Sequence, residues 1–196
     1  MADTNDPQRQ RDAALLAAYA AGDHSAARTL VAEHTPRALA LARRMLGVEA
    51  EAEDVAQEAM MRLWKVAPDW RAGEARVSTW LYRVVANLCT DRLRKRSHEA
   101  PLDPDFDPAD DCPGTVSRLI ADDRAAALES ALGDLPDRQR LAVVLRHLEE
   151  RPNPEIAEIM DISVEAVESL ISRGKRALAH ALAPKQDILG YKDAGT

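Results

Sequence analysis

The sequence predicts an all-α fold made of two small helical domains. Apolar residues recur at helical spacing through most of the 196 residues, and no segment shows the strict alternation of a half-buried strand. One acidic, proline-rich stretch interrupts this pattern near the middle of the chain. Hydrophobic residues make up 46% and aromatic residues 4%, which is typical of a soluble helical protein and argues against disorder throughout.

Each half of the chain is expected to contain four helices. Gly22, Gly47 and the segment 68–73 break the helical pattern in the first half. Ser78 or Thr79 is a candidate N-cap for the fourth helix, because a hydroxyl can accept a hydrogen bond from the first turn. The predicted helices cover residues 9–21, 24–46, 50–66, 78–96, 116–132, 136–149, 153–160 and 164–182.

Residues 98–115 are predicted to form a flexible acidic linker. They include four prolines and six acids, a composition that cannot continue a helix or bury enough apolar surface to fold alone. We therefore place one domain at 9–97, a second at 116–183 and a flexible tail at 184–196. A linker of this length is expected to leave the two domains without a fixed separation.

The charge is unevenly distributed along the chain. A formal net charge of −7 opposes binding to nucleic acid. Residues 78–97, however, hold five bases and one acid. Two further basic groups consist of Arg138, Arg140 and Arg146, and of Arg173, Lys175, Arg176 and Lys185. Such asymmetry predicts local basic faces on an acidic body.

No catalytic or metal-binding pattern is present in the sequence. Cys89 and Cys112 have no CxxC or Cys/His spacing, the five histidines are scattered, and there is no Gly-rich phosphate loop. We expect no enzyme activity, no metal, no cofactor and no small-molecule substrate. The longest apolar run, 13–21, is too short to cross a membrane, and the acidic start lacks a signal peptide's basic end. We expect a cytoplasmic protein without membrane insertion.

The helix predicted at 50–66 has an acidic face opposite an apolar stripe. Asp54 and Glu58 lie one turn apart with Gln57 beside them. Such a like-charge pair costs roughly 0.2–0.5 kcal/mol in an isolated helix, and a basic partner would remove that cost. The alternative is an ordinary solvated acidic face. The apolar stripe, expected in the core, consists of Ala52, Ala56, Ala59 and Leu63.

The helix predicted at 78–96 carries residues suited to unpaired nucleic acid. Its core side is expected to hold Leu81, Val84, Val85 and Leu88. Its opposite side, which we call the α4 stripe, consists of Arg83, Asn87, Thr90 and Arg94, with Trp80 and Tyr82 near the helix start. Aromatic, amide and guanidinium groups together can stack on bases, bind their edges and hold phosphates. The alternative is an ordinary exposed face with Trp80 in the core.

Residues 153–172 have the pattern of a helix-turn-helix. The motif requires apolar residues at set positions, a small residue where the helices cross, and a tight turn. Ala157 is the small residue, Asp161 lies in the turn, where it tolerates a left-handed conformation, and Ser163 is positioned to cap the second helix. The apolar positions are filled by Ile156, Met160, Ile162, Val167 and Leu170.

The outer face of the second helix of this motif is polar and ends in basic residues. We call it the recognition face; it consists of Glu165, Glu168, Ser169, Ser172, Arg173, Lys175 and Arg176. A purely structural helix pair would explain the apolar positions but not the basic end. The pattern therefore indicates DNA reading.

At these residues the sequence resembles the extracytoplasmic-function sigma factors, which are detachable promoter-reading subunits of RNA polymerase. EAEDVAQEAMMRLWK (51–65) is similar to their core-polymerase-binding helix, and VSTWLYRVVANLCTDRLRKR (77–96) to their −10-element helix. Residues 135–178 are similar to their C-terminal −35-reading domain. The three motifs occur in the order of the family.

The resemblance implies partners for each surface. Asp54, Gln57 and Glu58 would contact the basic coiled coil of the polymerase's largest subunit. The side chains that would open and hold the −10 element are Trp80, Arg83, Asn87 and Arg94. The recognition face would engage the −35 duplex in its major groove. An anti-sigma factor is expected as a further partner.

One position departs from the family pattern. Many relatives carry a base and an arginine where this chain has Glu168 and Leu170, so the phosphate contacts there differ. A glutamate can accept a hydrogen bond from cytosine N4, which would change sequence preference.

Two other functions fit parts of the sequence. A dimeric helix-turn-helix regulator would bind duplex DNA without polymerase, using its first half for dimerisation. A helical protein-interaction scaffold would give no function to the basic residues of the α4 stripe.

Overall fold

The computed structural model of the protein describes residues 6–71, 76–99 and 116–183, with side chains except at 98–99 and 116–124. Within these ranges the chain forms α-helices and one 3-10 turn and no strand, which confirms the all-α prediction. The helices are α1 (Pro7–Ala20), α2 (His24–Leu46), α3 (Glu49–Val66), α4 (Val77–Glu99), α5 (Val116–Gly133), α6 (Asp137–His147), α7 (Asn153–Met160) and α8 (Val164–Leu182). The 3-10 turn, Ala67–Asp69, follows α3.

Local sequence signals set several helix ends as predicted. Gly47 ends α2 with a φ of 69°, and its N–H donates to the Arg43 carbonyl, a left-handed ending that glycine adopts without strain. Asp161 ends α7 in the same region of backbone space, with a φ of 54°. The Ser163 hydroxyl accepts a hydrogen bond from the Ala166 N–H at 3.2 Å and so caps α8.

The predicted cap of α4 is wrong. Ser78 and Thr79 lie inside the helix, which begins at Val77, and the Trp80 N–H already donates to the Arg76 carbonyl at 3.0 Å. Val77 is buried, so its packing in the core favours a helix that begins before Ser78. The Thr79 hydroxyl instead donates to Glu155 Oε1 at 2.9 Å. Helix α4 also continues to Glu99, so the first two residues of the predicted linker are helical.

The rest of the predicted linker and the tail, residues 100–115 and 184–196, lie outside the described residues.

The N-terminal domain is a bundle of α1 to α4 in which α2 packs against the other three. The predicted apolar stripe of α3 is buried in full. Helix α1 meets α2 at two buried polar side chains, Asp12 and His34, whose Oδ2 and Nε2 atoms lie 3.2 Å apart.

The C-terminal domain is built around α6. Five consecutive residues of this helix, 141–145, are buried, which requires neighbours on all sides. Helix α8 approaches α6 closely at Gly174, where a Cβ would lie 2.5 Å from Val143 Cγ2. Glycine is therefore needed at this crossing for steric reasons.

The two domains pack against each other, whereas the sequence analysis expected the linker to leave them without a fixed separation. Helix α7 lies on α4, α6 lies on α2, and buried residues of both domains join one continuous core. The Arg140 guanidinium is buried at this junction, and Nη1 donates to the Met45 carbonyl near the end of α2 at 2.6 Å. Its Nε donates to the Leu132 carbonyl at 2.7 Å.

A second polar contact lies in the loop between α6 and α7. The Glu149 carboxylate accepts a hydrogen bond from the Tyr82 hydroxyl at 2.7 Å and pairs with Arg44 Nη1 at 2.5 Å. Both donors belong to the N-terminal domain. We call the set Arg44, Thr79, Tyr82, Glu149 and Glu155 the interdomain contact.

We expect Gly174→Ala to destabilise the C-terminal domain. The added methyl would force α8 away from Val143, and overpacking of this kind costs roughly 1–3 kcal/mol. The melting temperature by circular dichroism should fall by several degrees. Gly133→Ala is the control, because a Cβ there meets nothing within 4 Å. Equal melting temperatures for Gly174→Ala and wild type would contradict the close approach.

Candidate nucleic-acid and protein interfaces

The acidic face predicted on α3 is accessible. Asp54 and Gln57 are exposed, and Glu58 is partly exposed. Glu58 pairs with Arg62 one turn later, at 2.5 Å from Oε1 to Nη2. Arg62 therefore offsets the repulsion between Asp54 and Glu58. The sequence analysis had expected a basic partner outside the chain to remove this cost.

An apolar groove lies beside this acidic face and was missed by the sequence analysis. Val31 and Leu39 of α2 and Met60 of α3 line an open groove of about 390 Å³, with Gln57 at its edge. Val31 is 41% exposed, so the groove presents apolar surface to solvent. A partner that binds the acidic face can therefore also bury apolar surface.

The α4 stripe is exposed at three of its predicted contact positions, Arg83, Asn87 and Arg94. Their spacing places them on one side of the helix. Arg94 pairs with Asp91 at 3.1 Å, and Arg83 Nη2 lies 3.8 Å from Asp161 Oδ2 in the turn between α7 and α8. Both ion pairs are exposed and easily exchanged for a phosphate.

The two aromatic residues at the start of α4 have different environments. Trp80 is partly buried and packs edge-on against Trp70, with ring centroids 6.0 Å apart. It therefore contributes to the core while keeping an accessible part. Tyr82 is buried, and burial, followed by the hydrogen bond to Glu149, raises the pKa of its hydroxyl above the usual value.

The recognition face of α8 is exposed at every position except Ser169, which is partly buried. Glu165 has a local role at the helix start, because hydrogen bonds from its own N–H and from Ser163 lower the pKa of its carboxyl. Glu168 lies near the start of α7, with Asn153 Nδ2 at 3.5 Å from Oε1. Leu170 is partly buried, whereas the polar side chains around it on this face point outward.

The end of α6 beside α8 has a positive local field. Burial, together with the charges of Lys175 and Arg146, lowers the pKa of His147. Both cations act on His147, so Arg146 of α6 and Lys175 of α8 lie near it. Arg140 of the predicted basic group is buried at the domain junction instead, whereas Arg146 and Lys175 are exposed and available to a phosphate backbone.

The described residues include one group whose donor set could hold a cation, formed by Asp12, Glu33 and His34. Its carboxylates already have partners in the chain. Gln8 Nε2 donates to Asp12 Oδ1 at 2.9 Å, and Arg11 Nη1 lies 3.5 Å from Glu33 Oε2. We therefore read this group as structural.

The Cys89 thiol is buried, and burial raises its pKa to about 12, so it cannot act as a nucleophile near neutral pH. No helix within residues 6–71, 76–99 and 116–183 combines the length and the hydropathy of a membrane span.

Two family models match the chain, one to each domain. Sigma-70 region 2 matches residues 30–99, and sigma-70 region 4 matches residues 125–178. The first match contains α3 and α4, and the second contains the whole helix-turn-helix.

Curated relatives match over most of their length. The chain is 35% identical to the ECF RNA polymerase sigma factor SigW of Bacillus subtilis, over 82% of this chain and 91% of SigW. It is 34% identical to the ECF RNA polymerase sigma factor SigM of Mycobacterium tuberculosis, over 94% of this chain and 87% of SigM.

Solved structures match as well. The structure of CnrH in complex with the cytosolic domain of CnrY is similar, with a TM-score of 0.66, 29% identity, and coverage of 89% of this chain and 98% of the CnrH chain. RpoE of Bartonella quintana, in complex with the anti-sigma factor NepR, shares the fold at 20% identity with a TM-score of 0.62.

Proposed function

Because this chain belongs to the extracytoplasmic-function (ECF) sigma factors of the sigma-70 family, we propose that three surfaces on its two domains direct promoter-specific transcription initiation. The chain acts as an alternative sigma factor that binds core RNA polymerase and promoter DNA. The N-terminal domain, residues 9–97, holds polymerase and the −10 element. The C-terminal domain, residues 116–183, reads the −35 element.

The acidic face of α3 docks on core polymerase. Asp54, Gln57 and Glu58 offer carboxylate and amide oxygens to a basic partner, and the groove beside them accepts its apolar side chains. Charges at the rim favour fast, oriented association, while apolar burial supplies affinity. This arrangement fits the basic coiled coil that the family resemblance implies.

The α4 stripe opens and holds the −10 element. Asn87 offers both donor and acceptor atoms to the edge of an extruded base, and Arg83 and Arg94 hold the adjacent phosphates. The accessible part of Trp80 supports stacking at the helix start.

The recognition face of α8 enters the major groove of the −35 element. Its basic end, joined by Arg146, holds the phosphate backbone and sets the register of the helix. Glu168 reads a base at the groove floor, with cytosine N4 as the donor.

One observation carries this division of labour. In a chain with a net charge of −7, the exposed basic side chains that the sequence analysis singled out gather on α4 and at the junction of α6 and α8, and an acidic face lies on α3. A dimeric regulator needs no such acidic docking face beside an apolar groove, and the family membership does not favour it.

The remaining features follow from this role. We infer that the chain works in the cytoplasm, where RNA polymerase is found, and that it supports recognition rather than catalysis. We also propose an anti-sigma factor as a partner, because the family resemblance implies one and the similar CnrH was solved in complex with the cytosolic domain of CnrY.

We expect the double substitution Asp54→Lys and Glu58→Lys to weaken binding to core polymerase by at least about tenfold, because it presents like charges to a basic partner. Competition for core against wild type, followed by fluorescence anisotropy, measures the effect. Glu150→Lys with Glu158→Lys changes the net charge equally on the other domain and serves as the control. Equal affinity of the two double variants would reject the docking face.

We expect Asn87→Ala to impair strand opening more than duplex binding. An amide aimed at an extruded base contributes only after the base leaves the stack. Run-off transcription from a duplex promoter should fall severalfold, while a pre-melted promoter should restore most of the activity. An equal loss on both templates would show that Asn87 takes no part in melting.

We expect Arg173→Ala to weaken promoter binding across sequences and to reduce the salt dependence of the holoenzyme's affinity by about one unit of slope.

Glu168→Ala should instead relax base preference at one position of the −35 element. Selection from a randomised −35 library distinguishes the two effects. Recovery of the same sequence by Glu168→Ala and wild type would argue against base reading by Glu168.

A further inference from the structure

Helix α3 carries an exposed methionine on its acidic face. Within the described residues, three large apolar side chains are exposed, namely Val31, Val48 and Met61. Met61 is the most exposed of the three, at 52%. Val31 lines the groove beside the acidic face. Two of these three side chains therefore belong to the surface that we propose for polymerase binding.

Helical geometry places Met61 among the polar residues of this face. Successive residues of an α-helix are about 100° apart around the axis, so Met61 and Asp54 lie within about 20° of each other. Gln57 and Glu58 flank the line between them, one on each side. An apolar side chain ringed by polar ones is the arrangement of an interface anchor, because the rim excludes water from the apolar contact.

The core of the N-terminal domain does not account for this side chain. The buried side of α3 lies opposite Met61 and includes Ala52, Val55, Ala59 and Leu63. Methionine is unbranched and flexible, so its thioether adapts to an uneven partner surface. The position of Met61 therefore suits a docking contact rather than internal packing.

The same exposure opens Met61 to oxidants. Of the other methionines that the structure describes, Met45 and Met60 are 0% and 5% exposed, and Met160 is partly buried. Hydrogen peroxide converts an accessible thioether to the sulfoxide. The sulfur lone pair attacks one peroxide oxygen, an S–O bond forms as the O–O bond breaks, and the departing hydroxide takes up the S–OH proton to give water. Sulfur loses two electrons, and the peroxide gains them.

We propose that Met61 anchors the acidic face of α3 to core polymerase and that oxidation of its thioether to the sulfoxide weakens this docking. The proposal rests on the polymerase role of α3 given above. A sulfoxide is polar, so burying it against an apolar partner surface costs desolvation and loses the apolar contact. Peroxide therefore reduces the amount of holoenzyme that this chain forms, and enzymatic reduction of the sulfoxide restores it.

The test measures the affinity of three full-length variants for core polymerase, by competition against labelled wild type followed by fluorescence anisotropy. Met61→Gln places a polar side chain of similar length at the anchor. Met61→Leu keeps an apolar side chain that peroxide does not oxidise. Val48→Gln is the matched control, because Val48 is also exposed, at 44%. It directly precedes α3 and lies about 20 Å from Met61 along the helix axis.

We expect Met61→Gln to bind core about tenfold more weakly than wild type, a loss of about 1.4 kcal/mol that is within the range of an interface anchor. Met61→Leu and Val48→Gln should bind as tightly as wild type. All three should melt at the wild-type temperature, because both positions are exposed.

The same assay is repeated after hydrogen peroxide has converted Met61 to its sulfoxide, as measured by peptide mass spectrometry. Treated wild type should lose affinity about as much as Met61→Gln does. Met61→Leu should keep its affinity after the same treatment, which controls for other oxidisable side chains. Bound core polymerase should slow the oxidation of Met61 severalfold, because the anchor is then covered.

Equal core affinity of Met61→Gln and wild type would overturn the anchor. Full affinity of wild type that carries the Met61 sulfoxide, or an equal loss in peroxide-treated Met61→Leu, would overturn the effect of oxidation. If Asp54→Lys with Glu58→Lys weakened binding and Met61→Gln did not, the acidic face would stand without this anchor. If untreated wild type did not bind core polymerase, the assigned function would fail and the proposal with it.

Discussion

The packing of the two domains depends on one buried guanidinium. Arg140 lies in the first turn of the central helix α6 and donates to the carbonyls of Met45 near the end of α2, Leu132 near the end of α5 and Leu135 in the loop after α5. Helix ends leave carbonyls without partners inside the helix, and a planar group with five N–H donors can satisfy several of them at once. Burial lowers the pKa of this guanidinium, but arginine remains charged at any physiological pH. Without it, the junction would bury unsatisfied carbonyls of both domains.

The junction changes how the acidic charge of the chain acts. Glu149 and Glu155 accept hydrogen bonds from side chains of the N-terminal domain, while Asp54 and Gln57 on α3 remain exposed. Acids within the chain therefore fall into two groups, one paired inside the molecule and one open to solvent, where we propose that it meets a partner.

The sequence predicted those features that are encoded locally. Helix bounds followed from Gly22, Gly47 and the cap at Ser163, and the apolar stripe of α3 followed from a spacing of three to four residues. The cap of α4 was wrong because the burial of Val77 outweighs the preference of Ser78 and Thr79 for a helix start. The interdomain contact joins Tyr82 to Glu149, 67 residues apart, and no periodicity encodes such a pairing. Arg140 offered a hint, because it is a charged residue directly before the apolar run LAVVL at 141–145.

The exposure of α3 has a consequence for how a partner reaches the chain. The face that we propose meets polymerase is accessible while the two domains are packed together, whereas Thr79 and Tyr82 at the start of α4 are buried against the C-terminal domain. A partner can therefore recognise the acidic face of α3 without any prior rearrangement of the domains.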